Sequence, residues 1–362
     1  MTETDALLIL NHLRVGPITS RKLIDAFGSA PAIFKASERQ IAAVSHLSSA
    51  NIDKIKNWEK HVKLNKAWAD INENNIQVVT YNDKNYPALL KEIYDHPLLF
   101  YLRGELKPQD SSAIAFVGTR NATSYGRSIA RKWSYNLAAR GFTIVSGLAR
   151  GIDTEAHIGA VEAGGRTIAI LGFGFGYVYP KENAALLEKI AETGAVITEY
   201  PWKKYHGKAS FPLRNRLIAG ISRATLVVES RRRGGSMITA HFANEYNRTV
   251  FAVPGSIHFY ASSGTNQLIR DGATLITSPD EIAEEFEFLF PVEQKSKRAK
   301  MENIPALEGN EKIIYETITE PISIDQLAEK CDISIEKITT SLLMLELKGL
   351  IRMLPGKIYD RK

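Results

Sequence analysis

The sequence predicts an α/β protein centred on a doubly wound parallel sheet, with a helical segment before it and a small domain of three helices and a hairpin after it. Three observations carry this. From Ala113 onward, short β-branched runs alternate with helical patterns, the signature of βαβ units. Those runs are almost wholly apolar, as strands covered on both faces must be. Charge also divides along the chain: residues 1–279 carry 34 basic and 23 acidic side chains (+11), and residues 280–362 carry 12 and 17 (−5).

The first 75 residues read as a helical domain. LNHLRVGPITSRKLIDAFGS places a Gly16-Pro17 turn between two apolar-periodic stretches, and IAAVSHLSSANIDKIKN is a weaker second copy. The pair is similar to the helix-hairpin-helix repeat of sterile-alpha-motif (SAM)-like domains, whose hairpin N–H groups face a phosphate. Arg14 stands where that repeat has its first glycine, and a DNA contact and a purely structural role both stay open. The central domain spans 76–290, and its first part, 76–110, with breaks at Tyr86-Pro87 and His96-Pro97, reads as an extension leading into the sheet.

Within the sheet domain the strands are AIAFVG, TIVSG, TIAILG, AVIT, ATLVVE and TVFAVPG, and the helices fall at 124–140, 153–163, 181–193, 215–222 and 238–246. Residues 291–309 mix Pro, Lys, Glu and Ala without periodicity and read as a linker. In 310–362, helical patterns at 311–318, 324–330 and 335–348 lead into a hairpin around Pro355-Gly356, which is the plan of a winged helix. On its third helix Ile338, Leu342 and Leu345 make an apolar stripe, leaving Lys337, Thr340 and Ser341 outward. The acidic balance of this domain leaves DNA reading, protein binding and plain spacing open.

Length and composition, 362 residues with 44% apolar and 24% charged, suit two or three folded domains. No apolar run approaches the ~18 residues that cross a bilayer, and MTETDALLILNHL is acidic where a signal peptide is basic. A cytoplasmic protein without a membrane partner is expected. Cys331 is the single cysteine, which excludes an intrachain disulfide and a cysteine-based zinc site. GxxxxGK[ST], HExxH and GxSxG are all absent, and the eight histidines do not cluster. No catalytic residue, metal or cofactor is therefore expected. Gly172, Gly174 and Gly176 lack the dinucleotide spacing and fall on the wrong crossover.

The informative loops follow the strands. In VGTRNATSYGR, Gly118 frees the backbone to turn after a buried strand, the N–H groups opening the next helix attract anions, and Arg120 offers a planar charged fork. SGLARGID repeats the device with Ser146, Gly147, Arg150 and Gly151, and its Asp153 suits an N-cap. Both loops sit at carboxyl ends of neighbouring strands, where open α/β sheets bind ligands. A third, GFGFGYVYPKEN, leads to Lys181 at a helix start. The fourth, KKYHGKASFPLRNRLIAGIS, brings Lys208, Phe211, Arg214, Asn215 and Arg216 together, and between Lys203 and Arg233 nine basic residues face Glu229 alone. A cation row with a ring in it suits a single strand, charges tracking phosphates while the ring stacks on a base. The other reading, in which Phe211-Pro212 packs inward and the arginines pair with acids, stays open.

VGTRNATSYG, SGLARGIDTEAH, TIAILGFGFGYVYPKEN, FPLRNRLIAG, GGSMITA and VFAVPG resemble, in order, the motifs of the DNA-processing protein A family, also called DprA or Smf. The resemblance implies an extended Rossmann-like domain that binds single-stranded DNA, self-associates as a homodimer and loads the RecA recombinase during natural transformation. It implies a non-enzymatic mediator. On that likeness Gly118, Arg120, Ser146, Gly147, Arg150 and Gly151 lie along the phosphates, Lys181 and Lys208 extend the track, Phe211 stacks with Arg214 and Asn215 beside it, and Ile269 and Leu275 fall in the self-association surface. Residues 175–178 lack the family's usual Asp, and Arg231, Arg232 and Arg233 exceed its pattern. A rival reading is a nucleoside monophosphate phosphoribohydrolase, whose PGGxGTxxE loop RRRGGSMITAHFANE loosely echoes. There, however, Arg233 replaces the Pro, the Thr is missing and Glu245 is too distant. A winged-helix DNA-binding regulator is a third reading, weakened by a recognition helix that is not basic.

Overall fold

A computed structural model of the chain describes residues 1–44, 46–203, 207–287, 307, 309–318, 322–331, 333–348, 350–354 and 358–361. It divides into two compact units, 1–294 and 295–362. Most of the expected linker 291–309 and the Pro355-Gly356 turn lie outside the described residues.

The front of the first unit is helical: α1 (Glu3–His12), α2 (Pro17–Phe27), α3 (Ala30–Lys35), α4 (Glu38–Val44), α5 (Ser49–Lys56), α6 (Trp58–His61) and α7 (Leu64–Glu73). A capping box starts α1, Thr2 N donating to Asp5 Oδ2 (2.8 Å) and Asp5 N to Thr2 Oγ1 (3.1 Å). Five consecutive residues of α1, Ala6 to Leu10, are buried. A helix apolar all round belongs in the middle of its neighbours. Pro17 opens α2, and Arg14 just before it adopts φ 62°, the left-handed conformation that a glycine supplies without strain.

The sheet follows, with β1 (Gln77–Thr80), α8 (Ala88–Glu92), β2 (Leu99–Gly104), β3 (Ala113–Gly118), α9 (Ser124–Ala139), β4 (Thr143–Ser146), α10 (Ile152–Glu162), β5 (Thr167–Leu171), α11 (Ala184–Thr193), β6 (Ala195–Thr198), α12 (Ser210–Ile221), β7 (Ala224–Glu229), α13 (Gly235–Glu245), β8 (Thr249–Ala252), α14 (Ser263–Arg270), β9 (Thr274–Leu275) and α15 (Pro279–Glu287). Strand order is β1-β2-β6-β5-β4-β3-β7-β8-β9. Strands β3 to β9 are parallel, while the stretch expected only as an extension adds β2 antiparallel to β6 and β1 antiparallel to β2. Period-2 alternation covers both faces. Ile114 and Phe116 of β3 pack with Trp133 and Leu137 of α9 and Ala156 of α10, whereas Ala115 and Val117 pack with Leu217 and Ile218 of α12 and Ala240 of α13.

The helical front shares a core with this sheet, since Leu7 and Leu8 of α1 belong to one cluster with Leu99 and Tyr101 of β2 and Val196 of β6. Polar bonds fasten the contact: Asn11 Nδ2 donates to Glu199 O (3.0 Å) and Tyr101 OH to Asn11 Oδ1 (3.1 Å). Among the described residues no helix is long and apolar enough to cross a membrane.

The second unit holds α16 (Gly309–Thr317), β10 (Ile322–Ser323), α17 (Ile324–Cys331), α18 (Ile335–Leu347), β11 (Ile351–Leu354) and β12 (Ile358–Arg361), with sheet order β10-β12-β11. Ile338, Leu342 and Leu345 line its core together with Ile314, Leu327 and Tyr359. Ser341, expected to face outward, is instead 8% exposed, because it lies three residues after Ile338 and four before Leu345, on the core face of α18.

Candidate nucleic-acid interface

From β3 the chain builds the sheet in one direction through β4, β5 and β6, then returns to the other side of β3 with β7 and β8. Loops leaving β3 and β7 therefore diverge, and a crevice opens at the carboxyl ends of the strands, the switch point where open α/β sheets bind ligands. A cleft of ≈ 550 Å³ lies there, lined by residues that include Gly118, Arg120, Phe211, Arg231, Gly234 and Ser236.

The loop after β3 is shaped by an internal carboxylate. Buried Glu229, the last residue of β7, accepts from Thr123 N (2.9 Å) and Thr123 Oγ1 (2.7 Å), while Thr119 N donates to Glu229 O (2.7 Å). Thr123 caps α9, its hydroxyl accepting from Gly126 N (3.2 Å), and a Cβ on Gly126 would meet Glu229 Oε2 at 2.6 Å. The positive end of α9 is thus answered from inside the fold. These bonds occupy the N–H groups of Thr119, Thr123 and Gly126. Arg120, one turn of loop earlier, is exposed.

Gly118 and Gly151 bring the two Gly-Arg loops together. A Cβ on Gly118 would run into Ile152, and one on Gly151, where φ is +77°, would run into the carbonyls of Thr119 and Arg120. The space they vacate is taken by protein. Ser146 is fully buried with its hydroxyl donating to Phe116 O (2.6 Å), and Gly147 is buried beneath the Arg214 guanidinium. Asp153 is not the N-cap of α10; Gly151 holds that position. Instead the Asp153 carboxylate accepts from Gly147 N (3.2 Å) and Ala149 N (3.3 Å), closing the loop on itself. Arg150 is exposed and paired with Glu182. Lys181, also exposed, opens a single turn whose Asn183 donates to Leu148 O (3.0 Å) and Thr154 Oγ1 (2.8 Å), tying the third loop to the second.

The cation row of the fourth loop divides. Arg214 is 3% exposed, with Nη1 donating to Gly147 O (2.7 Å) and to Ile170 O. Burial pulls its pKa down to about 10. Arg216 is buried and paired with Glu199 (2.6 Å) and Asp95 (3.4 Å). Inward packing therefore describes these two arginines, because α12, which starts at Ser210 and not at the expected 215, is buried on more than one side, Arg214 facing Gly147 and Ile170 and Arg216 facing Glu199 and Asp95. Asn215 Nδ2 donates to Gly235 O (3.3 Å) at the head of α13. Lys208 lies in the short turn Gly207–Ala209, and its side chain is outside the described set. Phe211 is half-buried over Gly172, with the Tyr179 ring at 5.8 Å and the Arg120 guanidinium 5.0 Å from its centroid.

The cleft also holds residues the sequence reading did not place: Tyr179, Arg231, Arg233 and the Gly234-Gly235-Ser236 start of α13, which has no side-chain cap. Their signal, a Gly-Gly-Ser before a helix and three arginines after a strand, is visible in the sequence. Glu245, the carboxylate of the rival ribosyl-cleaving reading, is the last residue of α13, roughly 15 Å of helix from Gly235. Ile269 on α14 packs half-buried against the core, and Leu275 on β9 is 44% exposed.

The family model for DNA recombination-mediator protein A matches residues 77–287, and one for the DprA winged helix domain matches 299–357. Protein Smf from Synechocystis is 32% identical over 381 residues, covering 96% of each chain. DNA processing protein A from Streptococcus pneumoniae, solved by X-ray, superposes with TM-score 0.70 at 33% identity, over 80% of this chain and 99% of that one. DNA processing protein A from Helicobacter pylori, solved for its single-stranded DNA binding mode, gives TM-score 0.54 at 28% identity, over 59% of this chain and 97% of that one.

Proposed function

This chain belongs to the DNA recombination-mediator protein A family, and on that premise we propose that it binds single-stranded DNA across the switch-point cleft and hands the strand to a RecA-type recombinase during DNA uptake. The observation that carries the reading is the pairing of a permanent cation with a stackable ring at the ligand-binding end of the sheet, Arg120 over Phe211 at 5.0 Å. Charges neutralise phosphates and a ring accepts any base, which together bind a single strand with little regard to sequence. In this reading Arg120, Arg150 and Lys181 touch phosphates, Phe211 stacks, and Gly118, Gly147, Gly151, Ser146, Arg214 and Asn215 hold the loops that present them. The role is one of binding without bond cleavage, in the cytoplasm. Self-association through Ile269 and Leu275 doubles the track.

A salt titration against single-stranded and duplex oligonucleotides of one sequence tests the reading. Log affinity for the single strand falls linearly with log salt as counterions are released, and duplex binds more weakly. Equal affinity for the two, or a flat salt dependence, refutes it. Hand-off is tested separately by RecA filament assembly on strands precoated with a single-strand-binding protein, which the chain accelerates.

A further inference from the structure

The cleft carries a second arginine-over-ring pair. Arg231, which lines the cleft, holds its guanidinium 5.0 Å from the centroid of Tyr260. Tyr260 is 68% exposed, and its loop neighbours Ile257 and Phe259 are 88% and 65% exposed. Single exposed apolar residues are ordinary, but three within four positions form a patch that a folded chain leaves open for a contact.

The loop is fixed in place. Asn266 clasps Gly255 twice, accepting from its N–H (3.2 Å) and donating to its carbonyl (2.8 Å). Gly264 N donates to Ser230 O (2.7 Å), and a Cβ on Gly264 would meet Arg231 O at 2.6 Å. The loop is therefore tied to the same backbone that edges the cleft, with Tyr260 against Arg231. Tyr125, also exposed, leans on the loop with its hydroxyl donating to Pro254 O (3.0 Å). Charge selects the occupant. Arg231, Arg232 and Arg233 are all exposed, and Glu229, the one acid between Lys203 and Arg233, is buried against Thr123.

We propose that Tyr260, with Phe259 beside it, is a second base-stacking station on the β7–β8 side of the switch point. A single strand that stacks on Phe211 continues past Arg231, Arg232 and Arg233 to place a later base on Tyr260. This rests on the reading that the chain binds single-stranded DNA.

Binding of the full chain to oligothymidylates of graded length tests it. Tyr260→Ala weakens binding of long oligomers about 5- to 150-fold, the range of one lost base–ring stack. It leaves the shortest bound oligomers unaffected, while Tyr260→Phe binds as wild type because the ring and not the hydroxyl is used. Phe211→Ala weakens binding at every length. Independently, ultraviolet cross-linking of the unmodified chain to a 5-bromouracil strand gives adducts on the peptides holding Phe211 and Tyr260. Wild-type affinity of Tyr260→Ala for long strands, or cross-links confined to the Phe211 peptide, overturns the second station and leaves the DNA reading standing. If the wild type binds no single strand, the parent reading falls first. A reduced mass of Tyr260→Ala in light scattering assigns the rings to contact with a second copy and also overturns the proposal.

Discussion

The guanidinium of Arg120 lies 5.0 Å from the centre of the Phe211 ring, so the cation expected on a phosphate and the ring expected under a base are in contact before any ligand arrives. Arg120 lies in the loop after β3 and Phe211 in the first turn of α12, which leads into β7. A cation over a ring that keeps contact with solvent gains about 0.5–1 kcal/mol, small enough for a base to displace it.

Because one side chain covers the face the other offers, their effects on binding should not add. Phe211→Ala is expected to cost about 1–3 kcal/mol of affinity with the salt slope unchanged. Arg120→Ala lowers the slope by about one. The double variant loses less than the sum of the two, as partners in contact do. Fluorescence anisotropy at several salt concentrations measures all three. Normal binding by Phe211→Ala together with reduced thermal stability would leave the ring as packing over Gly172.

Arg214 should behave quite differently. Its guanidinium serves the carbonyls of Gly147 and Ile170 beside the buried Asp153 carboxylate, so removing it leaves buried polar groups unmatched. Arg214→Ala is expected to lose roughly 3–5 kcal/mol of stability, whereas Arg120→Ala, on the surface, stays within about 0.5 kcal/mol of wild type. Urea unfolding separates them. A stable Arg214→Ala protein that has lost only DNA binding would move this residue into direct contact with the strand.

Asp153 and His157 lie one turn apart on α10 and titrate in opposite senses. Burial pushes Asp153 up from 3.8 to about 6, against the pull of Arg214 and of the Ala149 and Gly147 N–H groups. Burial, with the charge of Arg214, pushes His157 down from 6.5 to about 3. Between pH 4 and 6 the folded chain binds a proton at Asp153 that the unfolded chain lacks, so this group makes stability fall as pH rises. Over the same interval the unfolded chain binds a proton at His157 that the folded chain lacks, so stability falls as pH drops. Each slope is about 1.4 kcal/mol per pH unit, and the two nearly cancel. Asp153→Asn removes one of them. As pH falls from 6 to 4, its unfolding free energy should drop more steeply than that of wild type by about that amount per unit. Parallel curves for the two proteins would show that Asp153 keeps its charge in the fold.

The strands were legible because buried parallel strands write themselves as unbroken apolar runs, and AIAFVG or ATLVVE has no other use. The start of α12 was not. Pro212 reads as a break, yet it stands third in the helix, where its missing N–H costs nothing. The helix that starts at Ser210 is buried on more than one side, so Arg214 and Arg216 both find partners inside the fold and two cations leave the expected surface. The Gly-Arg loops, the three arginines and the Gly-Gly-Ser were visible by residue type, whereas joining Arg231 and the head of α13 to the same cleft needed topology. Only the return of β7 to the side of β3 brings them to the same cleft, and no local pattern records that return.

Self-association gives the last prediction. Among the described residues, strand β9 ends the sheet, pairing with β8 through Phe251 with Thr274 and Ala252 with Leu275, and an end strand is where a second subunit can add. Leu275 on that edge is 44% exposed, too much for a core leucine, while Ile269 on α14 is half-buried against the core. The two positions therefore differ as tests. Leu275→Glu should fold with stability within about 0.5 kcal/mol of wild type, because the charge enters water in the monomer. Ile269→Glu should lose stability as well as association, since part of the Ile packs under the helix. The proposed two-fold contact would set each Leu275 against its symmetry mate's patch, so a carboxylate there would be introduced twice per interface. Light scattering should show half the mass for Leu275→Glu. Its affinity for short oligonucleotides should stay unchanged and its affinity for long ones should fall, because two tethered sites raise avidity only for strands that reach both. A folded Leu275→Glu protein of unchanged mass would place the subunit contact elsewhere. A mass of one chain for the wild type would remove it.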